Sequence, residues 1–356
     1  MSFQNCTIVG KDFNPVVYHQ TLRQRGTVEF PMSSSSLREF GKCPLCWLRG
    51  YQPPDSKAKD FGSVLDALLL TPKQFLDRYA VQPATYESKG MECPECGSVT
   101  DSRKCSKCNV QRREVTVTKG WSNNSTTCAE WVKAQLDSGK EIVTRDTVGE
   151  CTAAIARIGQ DEILTAFIQA SEKQVLVKGE WVDEKTGLTI PVQCLIDLAP
   201  REDTEFADCL GDFKSTRTAA LMAFQRDAFK YGYHVQAAFD FALWNAATGQ
   251  QRTTWCFVLQ ESFEPWQTGR RILSQDFLAL GVAEYTRLLG NYCACLKSGR
   301  WPSYEDTDEG NVQGWSVIEA EPFMAERAAF APKFDFDEPE SEEESAPGSD
   351  PDEITP

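Results

Sequence analysis

The sequence predicts an α/β fold: a mixed central sheet flanked by helices, carrying a small metal-binding insertion. Three observations point there. Two β-rich runs, 174–182 (QVLVKGEWV) and 188–198 (LTIPVQCLIDL), flank the turn sequence Asp183-Glu184-Lys185-Thr186-Gly187, which makes them a hairpin. Segments on either side space their apolar residues at three and four, as amphipathic helices do. Cys93, Cys96, Cys105 and Cys108 form a C-x2-C-x8-C-x2-C pattern, the spacing of a tetrahedral thiolate site.

Along the chain, residues 1–32 show no clear periodicity. Ser36 and Glu39 have capping-box spacing for a helix starting near Leu37. Residues 61–70 (FGSVLDALLL) continue as an apolar helix that stops at Thr71-Pro72. Residues 126–170 read mainly as helices, with WVKAQL and CTAAIARI showing helical spacing. After the hairpin, 206–214 (FADCLGDFK) reads as the next strand. One long helix then runs over about 218–247, followed by a strand at 252–259 and a helix at 276–298. This gives an N-terminal helical part (1–87), a cysteine insertion (88–120), a core (121–320) and an acidic tail (334–356) without periodicity, expected to be disordered.

The net charge of −15 counts against a nucleic-acid partner, but its distribution matters more than its sum. Residues 333–356 hold ten acidic side chains and one lysine, so the rest of the chain carries only −6. No apolar run approaches the roughly 18 residues of a membrane span, and residues 1–10 lack the pattern of a secretory signal. The expectation is a soluble cytoplasmic protein without a membrane partner, whose fourteen cysteines are reduced thiols or metal ligands.

Asp212 and Lys214 alternate along one expected strand, so they project to the same face, with Phe213 opposite. Asp197, near the end of the preceding strand, completes a set of two carboxylates and an ammonium. Carboxylate oxygens suit hard cations such as Mg²⁺ or Mn²⁺. A lysine beside such a cation can orient water or offset charge on a phosphate. The D-x-K triplet alone is weak, since such triplets arise by chance, and taken alone it reads first as a hairpin with surface charges.

Several segments in order resemble the exonuclease VIII (RecE-like) branch of the PD-(D/E)XK nucleases, many of them phage proteins. Val17-Tyr18-His19 and then Met32-Ser33-Ser34-Ser35-Ser36-Leu37 resemble that family's opening, and Cys43-Pro44 its small residue and proline. Phe61 to Leu68 resembles its G-x-x-x-H-x-L helix, and Leu195-Ile196-Asp197 its metal-binding aspartate strand. Gly211-Asp212-Phe213-Lys214-Ser215-Thr216 resembles the D-x-K-[ST]-T strand. Tyr233 to Ala238 is similar to the Y-x-x-Q-A-A helix, and Arg300-Trp301-Pro302-Ser303-Tyr304 to the closing W-P-x-Y. The likeness spans about 15–305, leaving out the cysteine insertion and the tail.

That resemblance implies a PD-(D/E)XK restriction-endonuclease-like core with Asp197, Asp212, Lys214, Gln236 and Tyr233 at its catalytic centre. It implies Mg²⁺ or Mn²⁺ on Asp66, Asp197 and Asp212. It also implies digestion of linear double-stranded DNA from a free end, 5′ to 3′, by a homo-oligomer working with a single-strand annealing protein during recombination. Asp66 departs from the pattern, standing where the family usually has histidine. It interrupts an apolar helix, where an unpaired charge is costly, which favours a ligand role. Gln236 and Tyr233 share a helix face, which fits the site or an interior hydrogen bond. Glu172 is a further acidic candidate, and Arg217, Arg226 and Lys230 are candidates for phosphate contact or a solvated face.

The two C-x2-C knuckles predict a structural Zn²⁺ that folds an otherwise coreless, zinc-ribbon-like segment. Arg103, Lys104, Lys107, Arg112 and Arg113 flank it, as a contact patch or as solvated charge. The alternatives to the exonuclease are another PD-(D/E)XK endonuclease or end-processing nuclease, and a decayed DNA-binding module.

Overall fold

A computed structural model describes residues 2–20, 25–50, 57–307, 311–312 and 315–316. Strand β1 (Ser2–Gly10) is followed by helices α1 (Pro15–Gln20), α2 (Ser34–Lys42), α3 (Pro44–Leu48), α4 (Lys57–Leu70) and α5 (Phe75–Arg78). Next come β2 (Tyr79–Val81), β3 (Thr85–Glu92), β4 (Val99–Thr100) and β5 (Arg113–Gly120). They lead to α6 (Thr126–Asp137), β6 (Glu141–Val143), α7 (Arg145–Ile158) and α8 (Glu162–Ala170). The remainder is β7 (Ser171–Asp183), β8 (Leu188–Pro200), β9 (Cys209–Thr216), α9 (Leu221–Lys230), α10 (Tyr233–Thr248), β10 (Thr254–Glu261), β11 (Thr268–Ile272) and α11 (Gln275–Ser298).

The central sheet has the order β1-β7-β8-β9-β10-β11. Neighbours run antiparallel except β9 and β10, which are parallel, so the sheet is mixed as expected. One face buries Val177, Ile190 and Ile196 with Leu37 and Phe40 of α2, the apolar side of α10, and Leu288 and Leu289 of α11. The other buries Leu198, Phe213 and Val258 against Val64 and Leu65 of α4, Cys151 and Ala154 of α7, and Leu164 and Phe167 of α8. Helices thus cover both faces, and strands between them must be apolar on both sides. That is why β8 and β10 read as near-continuous apolar runs.

Three local departures have clear causes. Residues 2–10, unassigned from sequence, pair with β7 at the sheet edge, through register shifts that blur their alternation. The expected helix over 218–247 is two helices. Gly232, at φ +65, breaks it, and a Cβ there would lie 2.9 Å from Arg38 Cδ. The first cap is Ser33 rather than Ser36, with Ser33 Oγ accepting from Ser36 N–H at 3.2 Å.

Residues Met1–Asp306 form one compact unit and Thr307–Pro356 another. Within the second, the described residues include a hairpin of Asn311–Val312 with Trp315–Ser316. The expected acidic tail, 334–356, lies outside the described residues. Among those described, no helix is long and apolar enough to cross a membrane.

Candidate active site

The site forms where two strands stop pairing. Between β8 and β9 the ladder holds the pair Leu198–Gly211, and the strands then part. Asp197 fills the gap with its side chain. Its Oδ2 accepts the Phe213 N–H at 3.1 Å, where a neighbouring strand would ordinarily offer a carbonyl. Its Oδ1 accepts from Gln174 Nε2 at 3.0 Å. Gln174 sits in the left-handed region, at φ +47, where the β7–β8 ladder also skips a pair.

On β9, Phe213 packs into the α4–α7–α8 side while Asp212 meets α10, as strand alternation requires. Asp212 Oδ1 accepts from Gln236 Nε2 at 2.7 Å, and its Oδ2 lies 2.5 Å from Lys214 Nζ. The Asp212 side chain is 3% exposed and that of Lys214 21%. Tyr233, one turn before Gln236, places its ring 5.2 Å from Lys214 Nζ. Asp66 joins them from α4. Gly62 lets that helix close on β9, since a Cβ there would come within 2.5 Å of Ser215 Oγ; Asp66 follows one turn later on the same face. Asp66, Asp197, Asp212, Lys214, Gln236 and Tyr233 all line one cleft of about 460 Å³.

The electrostatics follow from crowding anions in a dry place. Burial, then Asp212, pushes the Asp197 carboxyl well above its usual range. Asp66 is pushed up to about 7, chiefly by burial, with Lys214 opposing and Asp212 adding. Burial alone would lower the Lys214 ammonium, but Asp212 and Asp197 outweigh it and its pKa rises. The cluster holds more acid than one lysine can neutralise. Buried oxygens Gln174 Oε1, Gln236 Oε1 and Asp240 Oδ1 lack a hydrogen-bond donor, and Asp212 Oδ2 has only its ion pair with Lys214. An all-oxygen set with unsatisfied acceptors fits a hard divalent cation. The three carboxylates are not drawn as tightly together as a finished metal cage: among the described residues, only the four cysteines form such a group.

Two residues at the site were missed from sequence, and one was misread. Asp240 (α10) is buried beside Gln236, with its carboxyl raised well above the usual range by burial and then by Asp212. Its signal was a lone acid between Phe239 and Phe241, four residues after Gln236. Gln174 lies in an apolar strand and gave no comparable signal. Glu172 is not in this cleft; it pairs with Lys11 outside it, because it stands two positions from the irregularity that turns Gln174 inward. Arg217, Arg226 and Lys230 are exposed.

The cysteine insertion folds as β3–β4–β5, a ribbon half exposed on both faces. Cys93, Cys96, Cys105 and Cys108 bring their sulfurs within 4.8 Å of one another, and could bind zinc. The knuckles repeat one geometry. Gly97 N–H bonds Cys93 O at 2.9 Å, and Asn109 N–H bonds Cys105 O at 2.9 Å, both residues having positive φ. Hydrogen bonding to Ser98 draws the Cys96 thiol down to about 6. Arg112 is buried, its guanidinium donating to Met91 O at 3.2 Å and to Ser98 O, so it braces the fold rather than a patch. Arg113 pairs with Glu92.

With this geometry in view, residues 33–309 match the family model of the PDDEXK-like domain of unknown function (DUF3799). The chain belongs to that family. This PDDEXK-like domain is therefore of the PD-(D/E)XK nuclease type, and its core is the restriction-endonuclease-like fold expected from the sequence. A solved structure, the "Putative exonuclease" of Eubacterium rectale, aligns with the PDDEXK-like chain over 90% of its length and 99% of the other's, at 14% identity and a TM-score of 0.49. No curated protein matches it.

Proposed function

We propose that the protein is a metal-dependent nuclease that digests linear double-stranded DNA from an end, as the RecE-like exonucleases do, with Asp66, Asp197 and Asp212 as metal ligands. The observation that carries this is the convergence of Asp197, Asp212 and Lys214: Asp197 holds the Phe213 N–H, and Lys214 lies on Asp212. A bound Mg²⁺ or Mn²⁺ would supply Lewis acidity and a more acidic water. The chain supplies the rest. Lys214 keeps its proton at neutral pH and donates to the oxygens on which negative charge grows; a preorganised donor of this kind contributes about 10²–10³ in rate. Gln236 fixes the Asp212 carboxylate by its 2.7 Å bond, and Tyr233 limits where the Lys214 head can swing. Hydrolysis bonds a water oxygen to phosphorus, breaks the bond to the leaving sugar oxygen and delivers a proton there.

The likeness of ordered motifs supports the finer reading of a phage-type recombination enzyme. On that reading it works in the cytoplasm of a bacterial host, 5′ to 3′, as a homo-oligomer that hands single strands to an annealing protein. The Cys₄ insertion then holds structural Zn²⁺. The test is end-labelled linear duplex beside covalently closed circles, each with Mg²⁺ or Mn²⁺. Linear DNA should shorten from its 5′ ends while circles persist, and Asp212→Ala should abolish both metal-dependent reactions without loss of fold. Degraded circles would replace exonuclease with endonuclease, and full activity of Asp212→Ala would remove the site.

A further inference from the structure

Hydrolysis at Asp212 and Lys214 makes no use of Asp240, and the cleft around it holds a hydrogen-bond acceptor without a donor. Gln236 and Asp240 stand one turn apart on α10, which puts them on one face of the helix, and both line the cleft. Chemistry decides which end of the Gln236 amide meets Asp212. Asp212 lies on the Lys214 ammonium, so it is an ionised acceptor, and the amide must offer Nε2, as it does at 2.7 Å. Gln236 Oε1 is left as an acceptor in need of a donor. It is buried, and among the described residues no hydroxyl, amide or cation reaches it. Buried carbonyl oxygens rarely go unpaired, because water can no longer serve them.

Asp240 has the complementary need. It is 2% exposed, between the buried Phe239 and Phe241. Its carboxyl meets the Ser34 hydroxyl, while its Oδ1 has no donor among the described residues. The groups facing it are Asp212 and Lys214 from β9, Arg38 from α2, Tyr18 from α1 and Cys194 from β8. Burial and then Asp212 hold this carboxyl well above the usual range, against Arg38 and Lys214. A carboxyl kept neutral in such surroundings becomes a donor instead of a pure acceptor. One proton then satisfies two buried oxygens a helical turn apart, and these two need no cation.

We propose that Asp240 keeps its proton and donates it to Gln236 Oε1. Asp240 is then a positioning residue: it locks the Gln236 amide, whose other end holds Asp212. The hydrogen bond stands on the cleft alone, and its effect on rate rests on the nuclease reading. The test is infrared difference spectroscopy of the full-length protein at neutral pH without added Mg²⁺ or Mn²⁺, beside cleavage of linear duplex with Mn²⁺. Asp240→Asn should remove the carbonyl stretch of a protonated carboxyl, and Gln236→Leu should shift that same stretch, since its acceptor has gone. Asparagine offers an N–H where the acid had an O–H. Asp240→Leu, with no donor, should therefore lower kcat about 5- to 10-fold with KM little changed, and Asp240→Asn should rescue most of that loss. A wild type without the stretch, or a stretch that Gln236→Leu leaves in place, overturns the hydrogen bond whether or not the protein cuts DNA. Loss of the stretch on adding Mn²⁺ makes Asp240 a charged partner of the cation and overturns it too. Asp240→Asn cutting as poorly as Asp240→Leu overturns the positioning role. If the spectra agree and the wild type does not cut, the hydrogen bond stands and the nuclease reading falls. Should Asp240→Leu not fold, the spectra of Asp240→Asn and Gln236→Leu still decide.

Discussion

Replacing Lys214 by methionine separates electrostatic from steric roles in the cleft. Met keeps the length and apolar stem of the side chain and removes the ammonium that lies 2.5 Å from Asp212 Oδ2. The folded pKa of Lys214 is raised, so its stabilising effect is fully present below about 10.4, the unfolded value, and is lost only as pH rises through the folded one. At pH 8 the whole contribution is therefore at stake. Removing one partner of a buried pair costs about 3–5 kcal/mol. Lys214 keeps some exposure and Asp212 can take up a proton, so about 3 kcal/mol is the reasoned value. For a unit this large, about 2 °C per kcal/mol gives a melting drop of roughly 6 °C. Thermal unfolding in EDTA and again in millimolar Mn²⁺ is the assay. The drop should appear in EDTA and largely close with Mn²⁺, because a cation can take over the neutralisation, while cleavage stays absent. Equal melting of the two proteins in EDTA, or cleavage by the variant, would refute the reasoning.

Asp66 should make metal binding pH-dependent. With its carboxyl raised to about 7 by burial first, Mn²⁺ affinity should fall up to about tenfold per unit below that pH by calorimetry, and Asp66→Asn should flatten the slope. The same shift makes the metal-free fold bind an extra proton between about pH 4 and 7, so this group's contribution to stability declines as pH rises through that window. Gly281→Ala should cost about 3 kcal/mol in urea unfolding, since a Cβ there would sit 2.1 Å from His234 O, where α11 meets the helix carrying Gln236. Cys105→Ser, or a strong zinc chelator, should open 88–120 to limited proteolysis while the circular dichroism of the rest is kept; an arm that stays resistant would mean the ribbon needs no metal.

Much of the sheet was legible because its chemistry is local. The turn at Asp183 to Gly187 announces itself, and the buried Asp183 does cap it, accepting from Thr186 N–H at 2.9 Å. Asp212 and Lys214 share a face by strand geometry alone. The break at Gly232 was hidden because apolar spacing continues across it, and only the left-handed backbone there, close against Arg38, shows the need for glycine. Gln174 was illegible for a related reason. Its inward turn depends on a positive φ and on Asp197 waiting across the ladder, neither of which a one-dimensional pattern records. Asp240 could have been found, since an acid amid phenylalanines in a buried helix needs a partner or a proton.

The seam bridged by Asp197 has a consequence for how freely this position can vary. One short carboxylate tethers β9 to its neighbour and, on the nuclease reading, also offers itself to a cation. A glutamate would keep the chemistry but, one methylene longer, would wedge the seam apart; an asparagine would keep the tether but surrender the charge. On that reading neither replacement serves both ends at the spacing these two strands have, so each should cost either the seam or the cation.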